Sequence, residues 1–175
     1  MIKEIVMNKK LSKNITGTIT GLIGLLVVST SPLAAPGING GKPAEVSGFF
    51  DIPANTVKPG ACAFDVRVAF DGKGKTITLP GNRSISTSPG LNAEVTNLSD
   101  PTKTVNLNVT GAFHQTSKSN GDIVTIVTGR NFLTDPLAGV VLAIGTFRFA
   151  FDASNNLIEP LNGQGQLINI CDLIS

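Results

Sequence analysis

From Ala61 to Cys171 the chain is a succession of short stretches in which apolar and polar residues alternate, broken by clusters of Gly, Pro, Asn and Asp. A two-residue period puts one class of side chain on each face of a strand. A chain built this way buries its apolar residues by layering or rolling up β-sheet. The cleanest run is 105–113, where Val105, Leu107, Val109, Gly111 and Phe113 point one way and Asn106, Asn108 and Thr110 the other. In 61–70, Cys62, Phe64, Val66, Val68 and Phe70 share a face; in 140–151, so do Phe147, Phe149 and Phe151.

The punctuation divides these runs into eight or nine strands. Asp71-Gly72-Lys73-Gly74 reads as a hairpin tip, with 75–79 returning from it, and Pro80-Gly81-Asn82 ends that return. Further strands are expected at 83–88, 91–98, 123–128, 157–161 and 166–171, with Gly145 as a bulge within 140–151. Asn120-Gly121 accepts the positive φ values of a tight hairpin turn, and Asp152–Asn156 is a second turn. No stretch has the period of a long amphipathic helix, and the connections are too short for crossovers between parallel strands. The expected fold is all-β, an antiparallel β-sandwich, with a small closed β-barrel as the alternative. The absence of Trp and Tyr argues against an outer-membrane barrel, which needs aromatic girdles.

The N-terminus has a separate logic. Lys3, Lys9, Lys10 and Lys13 precede an uncharged run, 15–30, densest at 22–28, and small residues follow at Ala34-Ala35-Pro36-Gly37. That is the layout of a secretory signal peptide, and its strongly apolar part is too short to span a bilayer. The expected division is 1–37 signal peptide, 38–60 flexible lead-in and 61–175 a single β domain. Four of the 14 basic residues and one of the 12 acidic residues lie in 1–37, leaving 10 against 11 and a net charge of −1. A near-neutral domain without a cationic cluster has no electrostatic footprint for nucleic acid or for an anionic membrane.

Export permits a disulfide, and the chain has only two cysteines, Cys62 and Cys171. They are expected to pair, tying the first core strand to the last; two buried free thiols are the alternative. Without a second cysteine pair or a neighbouring histidine they cannot complete a metal site.

Catalytic signals are sparse. His114 is the only histidine and the one weak catalytic candidate, expected at the end of its strand, on the polar side or in the turn. A Ser-His-Asp arrangement would need partners that no Gly-x-Ser-x-Gly elbow nominates. Asp71–Thr76 imitates the end of a phosphate loop, but Ala69 stands where the pattern needs glycine and a strand follows instead of a helix. Asp51, Asp65, Glu94, Asp135, Asp152 and Glu159 are available for two-carboxylate hydrolysis, yet no spacing selects a pair. Asp152–Asn156 with Glu159 departs from the helix-loop-helix Ca²⁺ pattern at its sixth and twelfth positions. Asn82, Asn97 and Asn108 head N-glycosylation acceptor triplets.

The ordered runs Gly74-Lys75-Thr76-Ile77-Thr78-Leu79-Pro80-Gly81, Ser88-Pro89-Gly90-Leu91, Val95-Thr96-Asn97-Leu98, Thr128-Gly129-Arg130-Asn131 and Gly163-Gln164-Gly165, with Cys171 near the end, give the mature chain a resemblance. It resembles an uncharacterised family of small secreted bacterial all-β proteins. The resemblance implies export and a stand-alone domain, and it brings no activity or site residues. The functional expectation is a secreted, extracellular or periplasmic, non-enzymatic domain. It would meet an extracellular or envelope partner, with no cofactor, no metal, no nucleic acid and no membrane insertion after cleavage. The alternative is a binder of a small apolar ligand, or an isomerase- or cyclase-like enzyme, with an interior lined by Phe64, Phe70, Phe113, Phe147, Phe149 and Phe151.

Overall fold

The strand-forming pattern is realised almost throughout the computed structural model, which describes residues 41–56 and 62–175. The expected signal peptide, 1–37, and residues 38–40 and 57–61 around the lead-in lie outside the described residues. Nine antiparallel strands follow in order: β1 (Ala44–Ile52), β2 (Val66–Leu79), β3 (Arg83–Thr87), β4 (Asn92–Asn97), β5 (Thr104–Asn108), β6 (Gly111–Ser117), β7 (Ile123–Asp135), β8 (Gly139–Phe151) and β9 (Leu157–Asn169). Among the described residues a single short helix, α1 (Ile170–Leu173), follows β9, capped by the Asn169 side chain, which accepts from the Cys171 amide.

The strands pair in the order β5-β4-β2-β3-β6-β7-β8-β9, with β1 added to β2, and the sheet does not close into a barrel. β2 is shared. Its residues 66–71 pair with β4, and 75–79 pair with β3. β3 and β4 are thus successive parts of one returning arm, interrupted at 88–91. β5 and β6 repeat this, interrupted at Val109 and Thr110. There the Val109 amide donates to Leu91 O (2.9 Å) and the Ser88 amide to Gly111 O (3.0 Å).

Several local expectations change. Asp71–Gly74 is not a hairpin tip but the middle of β2, because β1 pairs with it residue for residue, from Ala44 opposite Gly74 to Ile52 opposite Val66. Tertiary pairing overrides local turn chemistry here, and the resemblance to a phosphate loop goes with it. The lead-in residues 44–52 form β1, whose Phe50 packs edge-on against Phe132 (ring centroids 6.3 Å). The first core strand begins at Val66, not Ala61. Residues 105–113 divide into β5 and β6, while 157–171, expected as two strands, hold the single β9 followed by α1. The register shift in β8 falls between Arg148 and Phe151, not at Gly145. It lies opposite Pro160, whose missing N–H suits a bulge on an edge strand.

Gly145 has a different role. In register, Gly111 stands opposite Gly129, Gly129 opposite Gly145, and Gly145 opposite Gly165, a row of glycines across four strands. Gly145 and Gly165 have φ of +136° and +143°, and a Cβ on either would overlap the other strand's backbone. Only glycine allows the two chains to come so close in that conformation.

Two apolar clusters result. In the first, Val66, Val68 and Phe70 of β2, Ala93 and Val95 of β4, and Leu107 of β5 pack over Val140 and Leu142 of β8. Phe132 of β7 and Ile168 of β9 join them, so two layers of sheet face each other. Cys62 and Cys171 form a disulfide beside this cluster, with Cα atoms 5.2 Å apart across a separation of 109 residues. The second cluster gathers Val127, Leu133, Val141, Ala143, Phe147, Phe149 and Phe151, with Phe113, Leu157 and Leu161 against it.

Candidate functional site

Side chains of β7 and β8 with even numbers share one face of the ladder. Toward the β7–β8 turn that face is Phe132, Val140, Leu142 and Ile144, packed in the first cluster. Beyond the glycine row it is Val124, Ile126, Arg148 and Ala150; Ile126 and Arg148 are exposed, whereas Val124 and Ala150 are buried. The register extends the row outward. Ile77 of β2, Ile85 of β3, His114 of β6, Ile126 of β7, Arg148 of β8 and Asn162 of β9 stand side by side. The neighbouring row is Leu79, Arg83, Thr116, Val124, Ala150 and Glu159.

Part of these two rows, from Leu79 and Ile85 across His114 to Ile126 and Arg148, lines a half-open groove of about 390 Å³ that also takes in Arg83, Ser84, Gln115 and Lys118. Its floor is aliphatic, and Ile126 is 36% exposed. The expectation that His114 ends its strand is corrected: Gln115, Thr116 and Ser117 continue β6 beyond it, and its ring lies between Ile85 and Ile126. No side-chain hydrogen bond engages His114 among the described residues.

The surrounding groups are committed to structural bonds. Arg148 Nε donates to Glu159 Oε1 (2.7 Å), and that bond is the main cause holding the Glu159 carboxyl below its ordinary pKa; partial burial opposes it. Arg83 Nε donates to Pro80 O (3.2 Å). Ser84 and Ser86 flank Ile85 along β3; Ser84 lines the groove together with His114, and the Ser86 hydroxyl is bonded to Thr76 (2.9 Å). No carboxylate lines the groove and no side chain is hydrogen-bonded to His114 among the described residues, so a hydrolytic triad is not assembled there.

The other sequence candidates are dispersed. Asp51 takes a two-pronged bond from Arg67 (2.8 Å for each prong), which lowers its pKa, and the same guanidinium lies 4.6 Å from the Phe49 ring centroid. Asp65 accepts from the Ala54 amide (2.7 Å), and Asp135 from the amides of Leu137 and Ala138. Asp152 accepts from the Asn156 side chain and from the Ser154 and Asn156 amides, so 152–156 is a self-bonded turn, and the Asn156 side-chain bond is the largest cause lowering its pKa. Among the described residues no three of His, Cys, Asp and Glu are placed to hold a metal ion. Phe64 and Phe70 belong to the first cluster and Phe113, Phe147, Phe149 and Phe151 to the second, so the six do not line one cavity.

Asn97 is a structural residue that its acceptor triplet conceals. It is buried, its amide donates to Ile174 O (3.1 Å) and its oxygen accepts from the Ser99 amide (2.8 Å), tying the β4–β5 turn to the C-terminus. Sequence reading also missed Arg83 and Arg148 as neighbours of His114. Their proximity follows only from strand register, which single strands do not reveal. No family model, no curated protein and no solved structure matches the chain.

Proposed function

We propose that the chain is an exported, non-enzymatic contact domain that meets an extracellular or envelope partner through the open sheet face around His114. The observation that carries this reading is the row Ile85, His114, Ile126 and Arg148, half-buried at Ile85 and His114 and exposed at Ile126 and Arg148, with an aliphatic floor and the cations Arg83, Lys118 and Arg148 around it. An exposed apolar patch rimmed by polar residues is a mark of an interaction surface. The groove is half-open, which favours a broad partner surface over an enclosed small ligand. The signal-like segment 1–37 and the Cys62–Cys171 bridge support export.

Site-specific photo-crosslinking in the secreting cell tests the reading. A photoreactive amino acid is placed at Ile85 or Ile126, and at exposed Phe49 as the control. One discrete adduct from the first two positions, absent from the third, is the expected result. Equal labelling from Phe49, or no adduct from the groove, would overturn it.

A further inference from the structure

We propose that β9 pairs edge to edge with β9 of a second copy of this chain, antiparallel and centred on Gly165, forming a two-fold symmetric dimer. β9 ends the strand order, and among the described residues nothing pairs with its outer flank. Residues 161–169 contain no charged side chain and no proline, and residues 162–167 are exposed along their whole length. Edge strands are ordinarily blunted by charge, proline or shortness. The other edges follow that habit: β1 carries Glu45 and Asp51, and β5 has only five residues. Nine residues of β9 do not.

The glycine row identifies the occupant. At each crossing from β6 to β9 the strand opposite a glycine of the row presents glycine in turn. A Cβ on Gly145 would overlap Gln164 O, and one on Gly165 would overlap Ile144 O and crowd the Gly145 Cα. A strand added beyond β9 must follow the same bend at the same place. In a second copy related by a two-fold axis at Gly165 it does, because Gly165 then faces Gly165 and the row runs on through both molecules.

The remaining pairs are compatible. Gln164 faces Gln166, Gly163 faces Leu167, and Leu161 faces Asn169. Residues directly opposite in an antiparallel pair lie on the same face, so the two amides can bond and Leu167, 41% exposed in one copy, lies over a glycine of the other. No charge opposes its own copy, which a self-pairing surface requires.

Sedimentation velocity on the secreted chain, from low to high micromolar concentration, is the test. The parent chain is expected to dimerise reversibly. Gln164→Lys with Gln166→Lys sets lysines opposite lysines and weakens association about tenfold or more. Gln164→Glu with Gln166→Lys uses the same positions but sets glutamate opposite lysine; it should still dimerise, more weakly as salt rises. Far-UV circular dichroism checks that each variant is folded. A parent chain that stays monomeric overturns the proposal. So does a dimer that the double lysine leaves untouched, or a Glu/Lys variant as weak as the double lysine.

Discussion

One face of the β7–β8 ladder has two fates. Phe132, Val140 and Leu142 lie beneath β2, β4 and β5, and the last two are almost completely buried. Ile126 and Arg148, on the same face of the same two strands, lie beyond the glycine row and are open. Apart from Thr134 and Arg130 the covered end is aliphatic and aromatic; the open end sets exposed Ile126 and buried Val124 and Ala150 beside His114, Arg83 and Arg148. The contrast shows that alternation determines which residues share a face, while the length and placement of other strands decide whether that face is covered. β1, β4 and β5 are laid over one end only, because β2 reaches them with residues 66–74 and leaves 75–79 to β3.

The largest expected effect falls on the covered end. Replacing Cys62 and Cys171 by serine releases a loop of 109 residues and should cost about 2–5 kcal/mol, the upper part of that range following from chain entropy. Urea unfolding followed by far-UV circular dichroism measures it, since the chain has no Trp or Tyr to report by fluorescence. A loss much below that range would mean that the packing alone holds the two layers together.

The boundary between the two ends comes next. Gly145→Val puts a branched side chain at φ +136° against the β9 backbone and should cost about 3 kcal/mol, mostly at the bend itself. A variant as stable as the parent chain would show that the close approach is not required.

The smallest effects belong to exposed charge. Asp51, Asp100, Asp152 and Glu159 all have carboxyls held below their ordinary pKa, by Arg67, Thr102, Asn156 and Arg148 respectively. A depressed folded pKa contributes stability above the ordinary carboxylate range, and the contribution is lost as pH falls through the folded value. Stability should therefore be level near neutrality and decline below about pH 4. Asp51→Asn should cost less than about 1 kcal/mol at pH 7, because the pair is exposed and screened, and should make the acid decline shallower. A decline unchanged in Asp51→Asn would assign the acid sensitivity to the other carboxylates.

Much of the fold is legible in the sequence, where side-chain period and local turn chemistry agree. The strand faces of Val66, Val68 and Phe70 and of Phe147, Phe149 and Phe151, the turns at Asn120-Gly121 and 152–156, and the pairing of Cys62 with Cys171 are of this kind. Asp71–Gly74 is not: its residues favour a turn, and pairing with β1 and the close passage of Gly72 by Gly90 and Leu91 hold it extended. The alternation Val46, Gly48, Phe50, Ile52 was a usable signal for β1, obscured by neighbouring Gly and Pro. The candidate site is the least legible part. His114 is visible as a lone histidine, but Ile85, Ile126, Arg83 and Arg148 come from three other strands and meet only through register.

The most direct measurement compares Leu142→Ala with Ile126→Ala by urea unfolding under the same conditions. The two residues lie on one face of adjacent strands, one covered and one open. If the open end is a free contact surface, Leu142→Ala should cost about 2–5 kcal/mol and Ile126→Ala less than about 1 kcal/mol. Equal large losses would mean that Ile126 is buried in the folded protein and would contradict the open face on which the functional reading stands.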